Sequence, residues 1–485
     1  MDRKERLPRA TPESQGVASS ALVGFVDALD RLEHVHSVMV LRKGNVIAEG
    51  WWAPYRSGQR HALFSIGKSF TSTAIGLLVE EGRLSLEDVV ADLLPDDAPG
   101  TVDDRLAGLR VRHLLSMSTG QARDGLEEAV GAGGWARRIL DVPVTHEPGA
   151  RFMYQTGATY LLAAIATRIT GERLLDHLTP RLLAPLGIEG ATWEQSPDGI
   201  DVGGFGLAMT TEDVAAFGQL LLERGCWNGR QLVPSGWIDT ATATHVSNGD
   251  PAFPSDWTQG YGFQLWRGRH GTFRADGAFG QLCVVLPERK TVVVVTAGLP
   301  DMQAELDVLW DTLLPALAND GPIAPDPDGT ARLRARLTSL RLPVPEGAPV
   351  SPRSGAIREQ RYRIDGGGTV GLSIGAAGDR VELDLALPGL DARIVCGAGT
   401  WLQGGRASSD HIRTGTDRDP SPLAGAFAWK LDDWLEIRAW AVDTAIGWDI
   451  DLCFDGDRMD LELRQNVAFT KPPIIRATGT VEHAG

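Results

Sequence analysis

The pattern of apolar and polar positions divides the chain into two parts. Up to about residue 318, segments with helical periodicity are mixed with apolar strands. After about residue 353, short segments alternate apolar and polar positions between turns rich in glycine, aspartate and proline. The proline-rich stretch between them is typical of a linker. We therefore predict a mixed domain (1–318), a linker (319–352) and an all-β domain (353–485).

In the first part, strands are predicted near both ends and helices between them. The predicted strands include a hairpin and three later segments: 37–41, 46–50, 261–266, 281–286 and 291–296. The predicted helices cover 19–32, 86–94, 111–117, 160–169, 211–224 and 302–318. This order indicates an α+β domain in which both ends of the chain form one antiparallel sheet and the middle forms a helical insertion.

In the last part, the alternating segments predict strands that build an open barrel or a sandwich. The strands are predicted over 359–364, 380–385, 434–440, 448–454 and 459–463. We expect this module to pack against the first domain, to shape the entrance of its site, or to mediate a homodimer. One segment in it, Gly371-Leu372-Ser373-Ile374-Gly375, matches the Gly-x-Ser-x-Gly nucleophile elbow. Because another strand follows instead of a helix, we interpret Ser373 as part of a hairpin.

The first candidate for chemistry is the segment Phe64-Ser65-Ile66-Gly67-Lys68, which opens a long apolar helix. A spacing of three places Ser65 and Lys68 on one helix face. A buried lysine that stays partly neutral can take the proton of a serine hydroxyl. Of the six lysines in the chain, Lys68 is the only one with a serine three positions before it. The alternative is an ordinary core helix with a lysine there by chance.

Two further segments could complete such a site. Tyr154 precedes the helix predicted over 160–169, and a tyrosine there could shuttle a proton between nucleophile and leaving group. That role requires a neighbouring ammonium group to lower the pKa of the phenol. The glycine-rich segment 273–281 could bring a backbone N–H close to a substrate carbonyl, as in an oxyanion hole. Taken singly, a packed tyrosine and an ordinary glycine-rich hairpin are the more common explanations of these segments.

Composition limits the kinds of partner. The 485 residues carry a net charge of −16, which argues against nucleic acid and anionic membranes as partners. The charged N-terminus is not followed by the apolar region of a signal peptide, and no apolar stretch is long enough to span a bilayer. The four cysteines are widely spaced and lack the spacing of metal ligands. We expect a cytoplasmic protein without a metal or another cofactor.

In combination, these motifs resemble the serine β-lactamase and penicillin-recognising superfamily over roughly residues 10–318. The class C β-lactamase-like branch is most similar, with its D-alanyl-D-alanine carboxypeptidases, family VIII esterases and 6-aminohexanoate-dimer hydrolases. Supporting segments are 80–88, 113–120, 185–188 and 203–207. The resemblance implies Ser65 as nucleophile, Lys68 as its activating partner and Tyr154 as acid and base. It also implies an oxyanion hole from the backbone N–H groups of Ser65 and Ala278, and an acyl-enzyme hydrolysed by water without a metal.

Two departures from the family pattern bear on the substrate. Thr156 stands where the Tyr-x-Asn motif has asparagine, and a hydroxyl offers fewer hydrogen bonds than an amide. Ala275-Asp276-Gly277 stands where true β-lactamases have Lys-Thr-Gly, and an aspartate repels the substrate carboxylate that this lysine holds. Arg274 could partly replace the lysine. We predict that Thr156, Asp276 and Gly277 contact a small neutral ester or amide.

Two alternatives to this hydrolase remain. One is a β-lactamase or a D-amino-acid peptidase, in which Arg274 would hold the substrate carboxylate. The other is a penicillin-binding-type fold that has lost turnover and serves as a sensor module. The Ser65, Lys68 and Tyr154 set argues for catalysis, while Thr156 and Asp276 keep the alternatives open.

Overall fold

The computed structural model describes residues 6–130, 132–250, 253, 255–409 and 420–482. The strands up to residue 297 are β1 (Val35–Arg42), β2 (Asn45–Trp51), β3 (His61–Ala62), β4 (Thr192–Trp193), β5 (Leu207–Met209), β6 (Cys226–Trp227), β7 (Arg230–Gln231), β8 (Trp266–Arg267), β9 (Phe273–Gly277), β10 (Gln281–Leu286) and β11 (Thr291–Ala297). Six of them form the main antiparallel sheet in the order β2-β1-β11-β10-β9-β8. The predicted sheet, built from both ends of the domain, is confirmed.

Helices fill the space between the early and the late strands. They are α1 (Ser19–Asp30), α2 (Gly67–Glu80), α3 (Val90–Leu93), α4 (Asp104–Ala107), α5 (Val111–Leu115), α6 (Leu126–Ala129), α7 (Trp135–Leu140), α8 (Thr156–Thr170), α9 (Leu174–Leu178), α10 (Thr211–Leu222), α11 (Ser235–Thr242), α12 (Met302–Val308) and α13 (Pro327–Thr338). Helix α12 continues through irregular turns to Leu317. Helix α13 lies within the stretch predicted as a linker and packs against α1.

The main sheet is covered on both faces, which explains its uninterrupted apolar strands. In β11, Val292 and Val294 belong to the core shared with α2 and α8, whereas Val293 and Val295 belong to the core shared with α1 and α12. An antiparallel sheet with one wet face would alternate apolar and polar residues. Here every residue of β11 is buried, so an apolar residue is favoured at each position.

The strand predicted over 261–266 is wrong for most of its length. Only Trp266 continues into a regular strand, β8, while the preceding residues form a loop. Its backbone turns at Gln264, which has a positive φ of 62°, and the Gln264 side chain donates to the carbonyl groups of Leu114 and Leu115 at 3.0 Å. The side chains of Tyr261, Phe263 and Leu265 are nevertheless buried in the core. The alternation of apolar and polar residues therefore reflects which side chains are buried and not the hydrogen-bonded pairing of a strand.

The last part of the chain forms a closed ten-stranded antiparallel barrel. Its strands are β12 (Glu359–Ile364), β13 (Thr369–Ile374), β14 (Arg380–Leu387), β15 (Leu390–Ala398), β16 (Leu402–Ser409), β17 (Ser421–Leu431), β18 (Trp434–Ala441), β19 (Gly447–Asp455), β20 (Arg458–Gln465) and β21 (Ile474–Val481). Pairing of β12 with β21 closes it. The all-β prediction is confirmed, and the structure is a barrel and not a sandwich, although the barrel is closed where an open one was expected.

One end of the barrel is packed against the first domain. Trp440 and Val442 belong to the same core as α1 and β1, and Tyr55 donates a hydrogen bond to the carbonyl of Thr444 at 2.9 Å. The backbone N–H of Ala62, in β3, donates to the carbonyl of Asp443 at 2.7 Å. Because β3 leads directly into the Ser65 segment, the barrel contacts the first domain close to the predicted nucleophile.

Candidate active site

Ser65 lies in a short 3-10 turn, Phe64–Ile66, that leads into helix α2. Phe64 has a positive φ of 47°, which is uncommon for a residue with a side chain and turns the chain sharply just before the serine. Lys68 follows one turn later and is only 1% exposed. The predicted geometry of one shared face is therefore present, with the lysine amine in a water-poor environment.

The amine of Lys68 has three neighbours at hydrogen-bond distance. Its Nζ lies 2.7 Å from the carbonyl oxygen of Gly204, 3.2 Å from Thr156 Oγ1 and 3.0 Å from Ser65 Oγ. Burial lowers the pKa of Lys68 to about 7, against the opposing effect of the Asp124 and Asp276 carboxylates. A neutral amine has two N–H donors and one lone pair. With Gly204 and Thr156 as acceptors, the lone pair is left for the hydroxyl proton of Ser65.

Tyr154 is the third predicted catalytic residue, and the neighbouring Ser65 side chain acts to lower the pKa of its hydroxyl. Its ring stacks on Trp266 at 5.4 Å, and the Lys68 amine lies 5.1 Å from the ring centroid. The expected lowering of its pKa is wrong: burial raises the pKa of Tyr154 above its usual value, and nearby Asp276 and Asp124 add to the effect. A phenol in this environment keeps its proton at neutral pH, so Tyr154 is suited to donate rather than to abstract.

Thr156 is the first residue of helix α8, and its position depends on Asp124. The carboxylate of Asp124 accepts hydrogen bonds from the N–H groups of Thr156 at 2.8 Å and Gly157 at 2.5 Å. An anion at the N-terminus of a helix is stabilised by the unpaired N–H groups there. Sequence reasoning missed Asp124, because a capping residue normally lies next to its helix and this one belongs to a distant turn.

Strand β9 brings Ala278 next to the Ser65 segment. A side chain at Gly277 would place its Cβ 2.1 Å from the carbonyl oxygen of Leu63, so only glycine permits this close approach. On the other side of Ala278, the ring of Phe279 meets that of Phe64 at 5.2 Å. Within the described part of the chain, neither the N–H of Ser65 nor that of Ala278 donates to a protein acceptor. Both groups are thus available for an oxyanion, as the resemblance implies.

Asp276 forms an ion pair with Arg274, and both residues lie in strand β9, just before Ala278. Arg274 Nε lies 2.9 Å from Asp276 Oδ2, and both side chains are almost fully buried. The guanidinium also lies over the ring of Trp257 at 4.4 Å. Burial raises the pKa of Asp276 to about 6, although Arg274 opposes the shift. The Asp276 carboxylate balances the charge of Arg274 through Nε, which weakens its case as a substitute for the carboxylate-binding lysine, although its buried Nη2 has no hydrogen-bond partner among the described residues.

The other predicted features lie away from this cluster. Ser373 is exposed on β13, which forms a hairpin with β14, so the strand-to-helix turn of a nucleophile elbow is missing there. No group of three or more metal-binding side chains is found among the residues that the structure describes. Within the same ranges, no helix has the length and apolar character needed to cross a bilayer.

The fold and the comparisons with known proteins define a hydrolase of the serine β-lactamase fold. The chain belongs to the Beta-lactamase family, whose model matches residues 24–317. It is similar to the 6-aminohexanoate-dimer hydrolase of Paenarthrobacter ureafaciens, with 29% identity over 321 residues, 61% of this chain and 81% of that protein. It is also similar to esterase EstB of Burkholderia gladioli, with 24% identity over 192 residues, 36% of this chain and 48% of the esterase.

Among solved structures, the fold is similar to that of a putative 6-aminohexanoate-dimer hydrolase from Bacillus anthracis. The TM-score is 0.54 at 24% identity, and the match covers 65% of this chain and 88% of the other. The share of this chain that is matched agrees with the extent of the family model, which ends before α13 and the barrel. The predicted family is thereby confirmed for the first domain.

Proposed function

We propose that this protein is a serine hydrolase that forms an acyl-enzyme on Ser65 and hydrolyses a small neutral ester or amide. The observation that carries the proposal is the Lys68 amine, which is buried, has a pKa near 7 and lies 3.0 Å from Ser65 Oγ. A base with a pKa near the working pH is the most effective proton acceptor. A purely structural lysine has no need of a serine partner in a water-poor site.

In the acylation step, Ser65 Oγ attacks the substrate carbonyl carbon while its proton passes to Lys68 Nζ. The negative charge that develops on the carbonyl oxygen is stabilised by the N–H groups of Ser65 and Ala278. Tyr154 keeps its proton because burial raises its pKa, and its hydroxyl is a neighbour of the Ser65 side chain. Tyr154 therefore donates a proton to the leaving alcohol or amine as the bond between that group and the carbonyl carbon breaks. Lys68 passes the proton that it took from Ser65 on to the Tyr154 oxygen, which restores both groups. Water then attacks the acyl carbonyl carbon and gives its proton to Lys68, which returns it to Ser65 Oγ as the acyl bond breaks and the acid is released.

The substrate proposal rests on the charges around the site. Asp276 is paired with Arg274, so this position offers no free cation for a substrate carboxylate. Burial lowers the pKa of the Lys68 amine to about 7, so its positive charge is reduced near neutral pH and it is a weak replacement for that cation. Relatives named as an esterase and as a hydrolase of the 6-aminohexanoate dimer support the ester and amide classes, respectively.

A comparison of two chromogenic substrates tests this preference. We expect a short-chain p-nitrophenyl ester to be hydrolysed with a kcat/KM at least about tenfold above that for nitrocefin, because the position of the family's carboxylate-binding lysine holds the Asp276 carboxylate, paired with Arg274. Steady-state rates of the purified full chain give both values. Faster turnover of nitrocefin would contradict the proposed substrate class and favour a β-lactamase.

The pH profile tests the role of Lys68. Its pKa is lowered from 10.5 to about 7, so the amine becomes neutral and able to accept a proton as the pH rises through 7. We expect kcat/KM for a neutral ester to rise about tenfold per pH unit below 7 and to level off above it. Measurement with a non-titrating ester gives the apparent pKa. A rise that continues unchanged beyond about pH 9 would indicate a lysine with ordinary basicity.

A further inference from the structure

The barrel contributes a loop to the surroundings of the candidate active site. The β18–β19 turn and the β20–β21 loop lie at the same end of the barrel, because Asn466 accepts from the N–H of Gly447 and donates to the carbonyl of Ala445. The same side chain donates to the carbonyl of Gly298 in the first domain at 2.9 Å. A Cβ at Gly298 would lie 2.6 Å from this amide nitrogen, so the two domains are in close contact here. The base of the β20–β21 loop is therefore held against the first domain.

This loop carries Phe469, whose ring meets two rings of the first domain. Its centroid lies 4.9 Å from that of Phe279 and 6.0 Å from that of Phe64. We call these three residues the phenylalanine wall. Phe469 is 69% exposed, the highest value for a large apolar side chain in the described ranges. A cluster of aromatic side chains that is exposed to solvent is uncommon on a protein surface and is typical of a binding site.

The position of the phenylalanine wall relates it to the reaction. Phe64 directly precedes Ser65, and Phe279 directly follows Ala278, so the wall adjoins both N–H groups of the proposed oxyanion hole. Tyr154, the proposed donor to the leaving group, instead packs against Tyr261 and Trp266. The group that stays bound to Ser65 after the leaving group departs is the acyl group. Since Tyr154 and its aromatic partners surround the leaving group, the side of the site next to the phenylalanine wall is left for the acyl group.

We infer that the phenylalanine wall binds an apolar acyl chain of the substrate, with Phe469 supplied by the barrel. This inference rests on the proposed acyl-enzyme mechanism and extends it to the substrate class: esters or amides of acids with an alkyl or aryl chain. Burial of each methylene against the rings stabilises the bound acyl group by the hydrophobic effect. The barrel is then part of the specificity site.

The test compares p-nitrophenyl acetate with p-nitrophenyl hexanoate, which share one leaving group. The wild-type protein is expected to prefer hexanoate, and Phe469→Ala to lower the hexanoate-to-acetate ratio of kcat/KM by about fivefold to tenfold. Leu431→Ala is the matched control, since Leu431 is an exposed apolar residue, 61%, at the β17–β18 turn on the opposite end of the barrel. Its ratio should equal that of the wild type. A ratio unchanged by Phe469→Ala, or no wild-type preference for hexanoate, would overturn the inference.

A second readout separates failure of the inference from failure of the proposed function. Saturation-transfer NMR of hexanamide with Ser65→Ala protein reports contact of the terminal methyl group without turnover. We expect this signal to be lost in Ser65→Ala/Phe469→Ala and kept in Ser65→Ala/Leu431→Ala. If the signal persists in Ser65→Ala/Phe469→Ala, the inference that the phenylalanine wall binds the acyl chain is wrong. If the signal is lost in this double variant but the wild-type protein hydrolyses no ester or amide, the phenylalanine wall binds the chain as inferred and the proposed hydrolase function is wrong. Thermal unfolding curves confirm that each variant is folded.

Discussion

Replacing Ser65 by alanine is expected to lower kcat for ester hydrolysis by at least about 10⁴-fold, because the hydroxyl that we propose forms the acyl bond is removed. The fold should be unaffected, since serine and alanine differ by one atom and the helix that follows is packed on all sides. Steady-state rates give the loss of activity. Mass spectrometry of the protein quenched during turnover gives the acyl adduct, which should appear on the peptide that contains residue 65 and be missing in the variant.

The matched control is Ser373→Ala, because Ser373 carries the competing Gly-x-Ser-x-Gly motif and is exposed on the barrel. It should retain wild-type rates and the adduct on Ser65. Retention of more than about a tenth of the activity in Ser65→Ala would rule out this serine as the nucleophile. An adduct on Ser373 would transfer the chemistry to the barrel.

Replacing Lys68 by methionine is expected to lower kcat by about 10³-fold to 10⁴-fold and to remove the rise of the pH profile near pH 7. Methionine fills a similar volume without a titrating group, so the loss reports the missing proton acceptor. Burying an amine costs free energy, so we expect Lys68→Met to unfold at the same temperature as the wild type or higher. Kinetics across pH and thermal unfolding measure the two effects separately.

Lys430→Met serves as the control for this substitution, since Lys430 lies on the barrel and is paired with Glu436 at 3.1 Å. It should keep both the rate and the pH profile. A Lys68→Met protein that retains the same rise near pH 7 would assign that pKa to another group. Asp276, with a pKa near 6, would then be the first to examine.

The sequence predicted the elements of the main sheet well because its strands are long and continuously apolar. The predicted segments of the barrel match five of its ten strands, β12, β14, β18, β19 and β20. Among those missed, β16 and β17 contain several glycine and alanine residues that carry little strand preference. Closure of the barrel depends on the pairing of Tyr362 with Val481, and no local pattern encodes the contact of two distant strands. The loop around Gln264 was mistaken for a strand because burial alone produced the alternation.

For the candidate site, spacing was enough to bring Ser65 and Lys68 together, because three residues of helix fix their distance. The role of Asp124 in capping α8 could not be predicted, because its contact with the start of that helix is set by tertiary packing. The direction of the Tyr154 pKa was wrong because the burial of the phenol outweighs its neighbours. Phe469 was also missed, although a role for the barrel at the site entrance was among the expectations.

The pairing of β1 with β11 has a consequence for how the protein is made. During synthesis, the Ser65 helix leaves the ribosome long before β9, β10 and β11, so the nascent chain holds the proposed nucleophile without the strand that leads to Ala278. The early hairpin meanwhile exposes an apolar edge that only the later strands can cover. Assembly is therefore controlled by a late, long-range closure, and truncated chains that end before residue 297 should be inactive and prone to aggregation.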